Sequence, residues 1–151
     1  MKIAILCGSV YGAAEDVARH AEAVLNAAGF QAWHALRAGC QDIQRFAPEA
    51  VLAVTSTTGM GELPDNLMAV YSELKDTLPA TWRGLPGGVI GLGDSSYDTF
   101  CGGGELMSEL FDELGVQALL PMLRLDASET VTPETDAEPW LARFAAALKA
   151  R

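Results

Sequence analysis

The chain has 151 residues, half of them apolar, and its 10 basic against 20 acidic side chains leave a net charge of −10. A chain of this length builds a core without disulfides or structural metal, so a single domain over residues 1–151 is expected. An isoelectric point near 4.5 with no Lys/Arg cluster argues against nucleic acid and anionic membranes, and no apolar run reaches the ~20 residues of a membrane span.

The first apolar run, Lys2–Cys7, reads as a central strand buried on both sides. Ala14, Val17, Ala18, Ala21, Val24, Leu25 and Ala28 follow at helical spacing, with Glu15, Asp16, Arg19, Glu22 and Asn26 on the other face and Gly29 as the stop. Gln31–Ala35 is a weaker strand, Asp42–Phe46 a short helix and Ala50–Thr55 a second buried strand. A helix over Asn66–Lys75, a strand over Gly88–Leu92 and a helix over Gly104–Leu114 come next. The fifth strand is expected over Ala118–Leu123, placed at an edge because Pro121 cannot donate to a ladder, and a last helix over Ala137–Ala150. This alternation predicts an α/β doubly wound sandwich, a five-stranded parallel sheet in order 2-1-3-4-5 with helices on both faces.

Ligands of such sheets bind beyond the carboxyl ends of the strands, which directs attention to three segments. Gly8–Ala14 joins the first strand to the first helix, with glycines that let the backbone curl so that amides and the helix dipole face an anion. It lacks the Lys-Ser/Thr pair of a Walker A loop and the spacing of GxGxxG, and reads equally as an anion cradle and as a tight turn. Ser56–Asn66 is small and polar with two glycines, and so suits close approach to a planar ligand. Gly93–Gly104 carries Tyr97 and Phe100 in a loop, where a ring is best explained by stacking.

Together, Gly91-Leu-Gly-Asp-Ser-Ser-Tyr97 with Phe100-Cys-Gly102, and Thr57-Thr-Gly-Met-Gly-Glu-Leu-Pro-Asp-Asn66, resemble the loops of flavodoxins over essentially the whole chain. The run Val54–Gly59 and the tail Asp126–Glu129 with Pro139-Trp140 are similar to short-chain bacterial flavodoxins of the YqcA/MioC type. The resemblance implies a non-covalent FMN and a one-electron carrier rather than an enzyme. Ser9, Val10, Tyr11, Gly12, Ala13 and Ala14 would surround the phosphate, and Thr57, Thr58, Gly59, Met60 and Gly61 would border the flavin ring. Gly93, Asp94, Tyr97, Phe100 and Cys101 would form the other wall, with Tyr97 stacked on the flavin. The Gly59–Met60 peptide would turn its carbonyl toward the flavin. The chain departs from the family pattern in two respects: Tyr11 and Ala14 replace hydroxyl residues of the phosphate loop, and Thr58 stands where an aromatic usually covers the inner flavin face. Met60, Leu63 and Tyr11 are the candidates to cover it.

The implied partners are basic-surfaced flavodoxin/ferredoxin NADP reductases and acceptor redox enzymes, steered by the acidic surface. A carboxylate ~8 Å from an added negative charge, at an effective dielectric of ~20, costs ~2 kcal/mol or about 90 mV, so a low second potential is expected. The alternatives on the same fold are an FMN-dependent NAD(P)H or quinone reductase and an interaction module with weak FMN binding. Asp126–Glu138 reads as a solvated acidic loop, His20 and His34 as surface histidines, and Trp33, Trp82 and Trp140 as packing residues. Cys7, Cys40 and Cys101 form no CxxC pair, so reduced thiols without zinc are expected, in a soluble cytoplasmic monomer. Cys101 is placed near the flavin for steric rather than thiol chemistry, since no cation adjoins it in sequence.

Overall fold

In the computed structural model, which describes residues 1–35, 38–58, 61–96 and 100–151, the central strand β1 (Lys2–Gly8) is buried along nearly its whole length. It pairs in parallel with β2 (Gln31–His34) on one side and β3 (Ala50–Thr55) on the other. Strand β4 (Pro86–Gly93) continues the sheet beside β3 and β5 (Gln117–Ala118) follows it, so the order is β2-β1-β3-β4-β5, as the sequence predicts. The two-residue side-chain period sorts β1 across the sheet: Ile3, Ile5 and Cys7 enter one core, and Ala4 and Leu6 the other.

Helix α1 (Ala13–Ala27) and the C-terminal helix α6 (Glu138–Lys149) cover the first face, their apolar stripes supplying Val17, Ala21, Leu25, Leu141 and Phe144. Helices α2 (Cys40–Phe46), α3 (Asp65–Thr77) and α4 (Gly102–Leu114) cover the second with Ile43, Leu67, Leu74, Met107 and Phe111. Trp82, in a short 3-10 turn over Ala80–Trp82, and Trp140 are buried, and Trp33 packs on Phe46 at 5.1 Å. The tryptophans are packing residues, as expected.

The predicted fifth strand is interrupted. Its first part, β5 (Gln117–Ala118), pairs with Pro86 and Gly87, and its second, β6 (Leu123–Asp126), pairs with Ile90 to Gly93. The chain takes five steps from Ala118 to Leu123 while β4 takes three from Gly87 to Ile90, so after Leu119, whose amide still donates to the Gly87 carbonyl at 3.0 Å, residues 120–122 leave the ladder. Pro121 cannot donate within a sheet, and its carbonyl instead accepts from Trp140 Nε1 at 3.0 Å. The last helix is also divided, a single turn α5 (Pro133–Asp136) preceding α6.

Candidate functional site

The site begins where β1 hands the chain to α1. Gly12 caps α1 at φ 94°, a left-handed conformation that an L side chain rarely adopts, and no side chain caps the helix. The amide of Gly12 donates to Ser9 Oγ at 2.9 Å, and Asn66 Oδ1 accepts from the Ser9 amide at 3.0 Å. Asn66, at the start of α3, thus fixes the loop from 57 residues away, a role the sequence reading missed. The amides of Val10, Tyr11, Ala13 and Ala14 have no acceptor among the described residues, and with the Ser9 hydroxyl they form a cradle for an anion. Glu15 and Asp16 in the same turn oppose such an anion, but Arg19 lies 3.2 Å from Glu15 and 3.8 Å from Asp16 and offsets both. The Ala14 side chain is fully buried in the core, so this residue offers its amide alone.

Beside the cradle, at the carboxyl ends of β1, β3, β4 and β6, opens a cleft of about 660 Å³. Of the residues expected around a ligand, Val10, Tyr11, Ala13, Thr57, Thr58, Gly93 and Asp94 line it. Thr57 does more than line the wall. Its hydroxyl donates to the Leu92 carbonyl at 3.0 Å and accepts from the Gly103 amide at 3.1 Å, tying β3, β4 and α4 at one atom. Thr58 and Glu62 close the next loop, with Thr58 N on Glu62 O at 3.0 Å, Glu62 N on Thr58 Oγ1 at 3.2 Å and Gly61 N on Thr58 O at 2.9 Å. Gly59, Met60 and Tyr97, three of the expected ring contacts, lie outside the described residues. Leu63 is only 2 % exposed within the second core. It therefore does not face the cleft, which removes it as a cover for the ring.

A further wall was not expected. Leu125, Ala127, Thr130, Val131 and Pro133 line the cleft, so the segment read as a solvated acidic loop is part of the site. Asp126 builds it: one carboxylate oxygen accepts from the amides of Ser95 at 3.0 Å and Ser128 at 2.9 Å and from Ser128 Oγ at 2.7 Å. The Ser95 and Ser128 hydroxyls meet at 3.1 Å, and the Ala127 amide reaches the Gly93 carbonyl at 2.8 Å. Hydrogen bonds from Ser95 and Ser128 hold the Asp126 carboxyl well below the usual carboxylate range. Its own neighbour on the cleft side, Asp94, accepts from the Ser96 amide at 2.9 Å. The sequence signal was present in a lone apolar residue, Val131, within a polar stretch after an Asp-x-Ser turn motif.

Gly61, Phe100 and Cys101 are not among the lining residues. Cys101 caps α4 with φ 55° and is fully buried, its thiol directed at the Gly91 carbonyl at 3.5 Å. Burial pushes that thiol up to about 11, so it stays protonated at neutral pH, in keeping with a steric role. His34 is not a surface histidine: it is half-buried, its amide donates to Glu22 Oε2 at 2.6 Å, and burial lowers its basicity. His20, partly exposed, meets Glu138 at 2.9 Å. Among the described residues there is no metal-binding group of side chains, and no helix is long and apolar enough to cross a membrane.

A doubly wound sheet with an anion cradle at a helix N-terminus and a partly apolar cleft beside it defines a mononucleotide-binding α/β domain. The Flavodoxin family model matches residues 5–140, and the chain belongs to the flavodoxin family. Flavodoxin YqcA of Escherichia coli is 41 % identical over 143 residues, which cover 95 % of each chain. The MioC homolog of Haemophilus influenzae is 36 % identical over 149 residues, 99 % of this chain and all of that one. The solved C101S mutant of a flavodoxin from Pseudomonas aeruginosa is 72 % identical, covers 99 % of both chains and superposes with a TM-score of 0.96. These relatives place the chain with short-chain flavodoxins of the YqcA/MioC type, whose family is one of FMN-dependent electron carriers.

Proposed function

We propose that the cleft holds FMN and that the protein carries single electrons from a basic-surfaced NADP reductase to acceptor enzymes in the cytoplasm, acting as a monomer. The observation that carries this reading is the set of amides at the N-terminus of α1 with no acceptor among the described residues, beside the cleft lined by Tyr11, Thr57, Thr58 and Asp94. A dianionic phosphate suits the first and a planar ring the second. FMN, when bound, supplies one-electron oxidation and reduction.

The chain's own residues do the rest. Amides of Val10, Tyr11, Ala13 and Ala14 and the Ser9 hydroxyl would bind the phosphate, while Asn66 and Gly12 hold that loop in shape. Gly59, Met60, Gly61, Tyr97, Phe100 and Cys101 belong to the same proposal through the loop motifs in which they stand. Asp94 puts a negative charge on the cleft wall of a chain of net −10, with Glu62 and Asp65 close to Thr58 in sequence, and this charge opposes adding an electron and attracts a basic partner.

Two results test this. Purified protein reconstituted with FMN should accept electrons from NADPH only when a flavodoxin reductase is present, and the association rate with that reductase should fall as salt rises from 0.05 to about 0.5 M, because screening shortens the Debye length several-fold. Steady NADPH consumption with a quinone and no reductase would overturn the carrier reading. Ser9→Ala should weaken FMN by about 10–150-fold, the worth of one hydrogen bond to a charged group, as read by quenching of flavin fluorescence.

A further inference from the structure

The described residues expose five large apolar side chains, Met1, Val10, Tyr11, Leu78 and Val131, and three of them line the same cleft. Tyr11 is 97 % exposed and Val131 95 % exposed, so neither is spent on the core. Scattered single apolar residues on a surface need no explanation, but three gathered on one concave site mark a surface that a ligand covers.

The opposite side of the cleft offers no such face among the described residues. Thr58 is small and its hydroxyl is occupied by the Glu62 amide, Thr57 is occupied by Leu92 and Gly103, and Leu63 is in the core. Tyr11 stands between Val10 and Gly12, inside the loop whose amides form the anion cradle. Tyr11 lines the cleft that leads away from this loop, so a ligand seated by its anion in the loop and extending along the cleft passes the Tyr11 ring.

We propose that Tyr11, with Val10 and Val131 lining the same cleft, is a stacking face for the flavin ring in addition to Tyr97, so that one loop holds the anionic end of the ligand and contacts its aromatic end. The proposal rests on the FMN reading above. It gives the tyrosine in the phosphate loop a positive role: a lost hydroxyl contact to the phosphate is exchanged for an aromatic contact to the ring.

The test separates the two ends by using two ligands, FMN and riboflavin, which lacks the phosphate. The apoprotein and its Tyr11→Ala, Tyr11→Phe and Val131→Ser variants are titrated with each, following flavin fluorescence, and their thermal unfolding is recorded without ligand. Tyr11→Ala should weaken both ligands by a similar factor of about ten, Tyr11→Phe should stay within about two-fold of the parent, and Val131→Ser should weaken both by a few-fold. Because both side chains are exposed, the apoprotein melting temperatures should be unchanged. Riboflavin affinity unaffected by Tyr11→Ala, with or without a loss for FMN, overturns the stacking role. A parent protein that binds neither flavin overturns the FMN reading itself, and is told apart by failing before any variant is compared.

Discussion

Thr57→Val is expected to lower the stability of the apoprotein by about 2–4 kcal/mol and to weaken FMN at the same time. Valine preserves the shape of threonine but removes the oxygen, leaving the Leu92 carbonyl and the Gly103 amide without their partner. An unsatisfied group of this kind costs about 1–3 kcal/mol, and the site is part-buried, so two losses fall in the range given. For a domain of this size that is a fall of about 4–16 °C in melting temperature. Thr57→Ser keeps the oxygen and should recover most of both properties. The contact cannot be rebuilt by a small backbone shift, because a Cβ placed on Gly103 would already lie 2.5 Å from the Ser56 carbonyl. Loop and helix are therefore in closest approach, and the hydroxyl bridges a junction with no slack. Thermal unfolding of the three apoproteins checks this, and a valine variant as stable as the parent would contradict the role of the junction.

Removal of the Asp126 carboxylate has the second large effect. Asp126→Ala releases the Ser95 amide and both donors of Ser128, so the 94–96 loop and the 127–133 wall lose their common anchor. FMN affinity should fall about ten-fold or more, since charge-assisted hydrogen bonds are the strong ones and three are lost together. The pH dependence has a defined sign. The folded carboxyl titrates below its unfolded value of about 3.9, so its stabilisation is complete above that pH and is lost as pH falls toward the folded value. Acid unfolding between about pH 4 and pH 2 should therefore be less steep in Asp126→Asn than in the parent, with no difference in slope near pH 7. Equal acid slopes in the two proteins would show that Asp126 is not held in its charged form by these serines.

The sheet was legible because its information is local. β1 and β3 are continuous apolar runs whose alternate side chains find a core on each face, and α1 repeats its stripe without interruption. The same holds for the Gly8–Ala14 turn, marked by glycine spacing next to a clear helix start. What was not legible depends on partners distant in sequence. Pro121 signalled an edge, but the departure of residues 120–122 from the sheet also needs Trp140, 19 residues on, to donate its indole N–H to the freed Pro121 carbonyl. Asn66 in the site was hidden for the same reason, since its only signal is a side chain reaching an amide across the sheet end. The 126–133 segment misled through composition: its acidic residues read as solvated, yet Asp126 faces three donors and Val131 faces the cleft. Leu63 misled in the opposite direction, because loop position suggested the ligand and packing sends it to the core.

On the proposed reading, main-chain amides at the mouth of β1 grip the phosphate of FMN with little side-chain help. The most direct measurement is the ratio of FMN to riboflavin affinity in the unaltered apoprotein, by fluorescence titration at about 0.1 M salt. FMN should bind at least about 100-fold tighter than riboflavin, the worth of two or more charge-assisted hydrogen bonds at about 1.5 kcal/mol each. Equal affinities for the two flavins would contradict it.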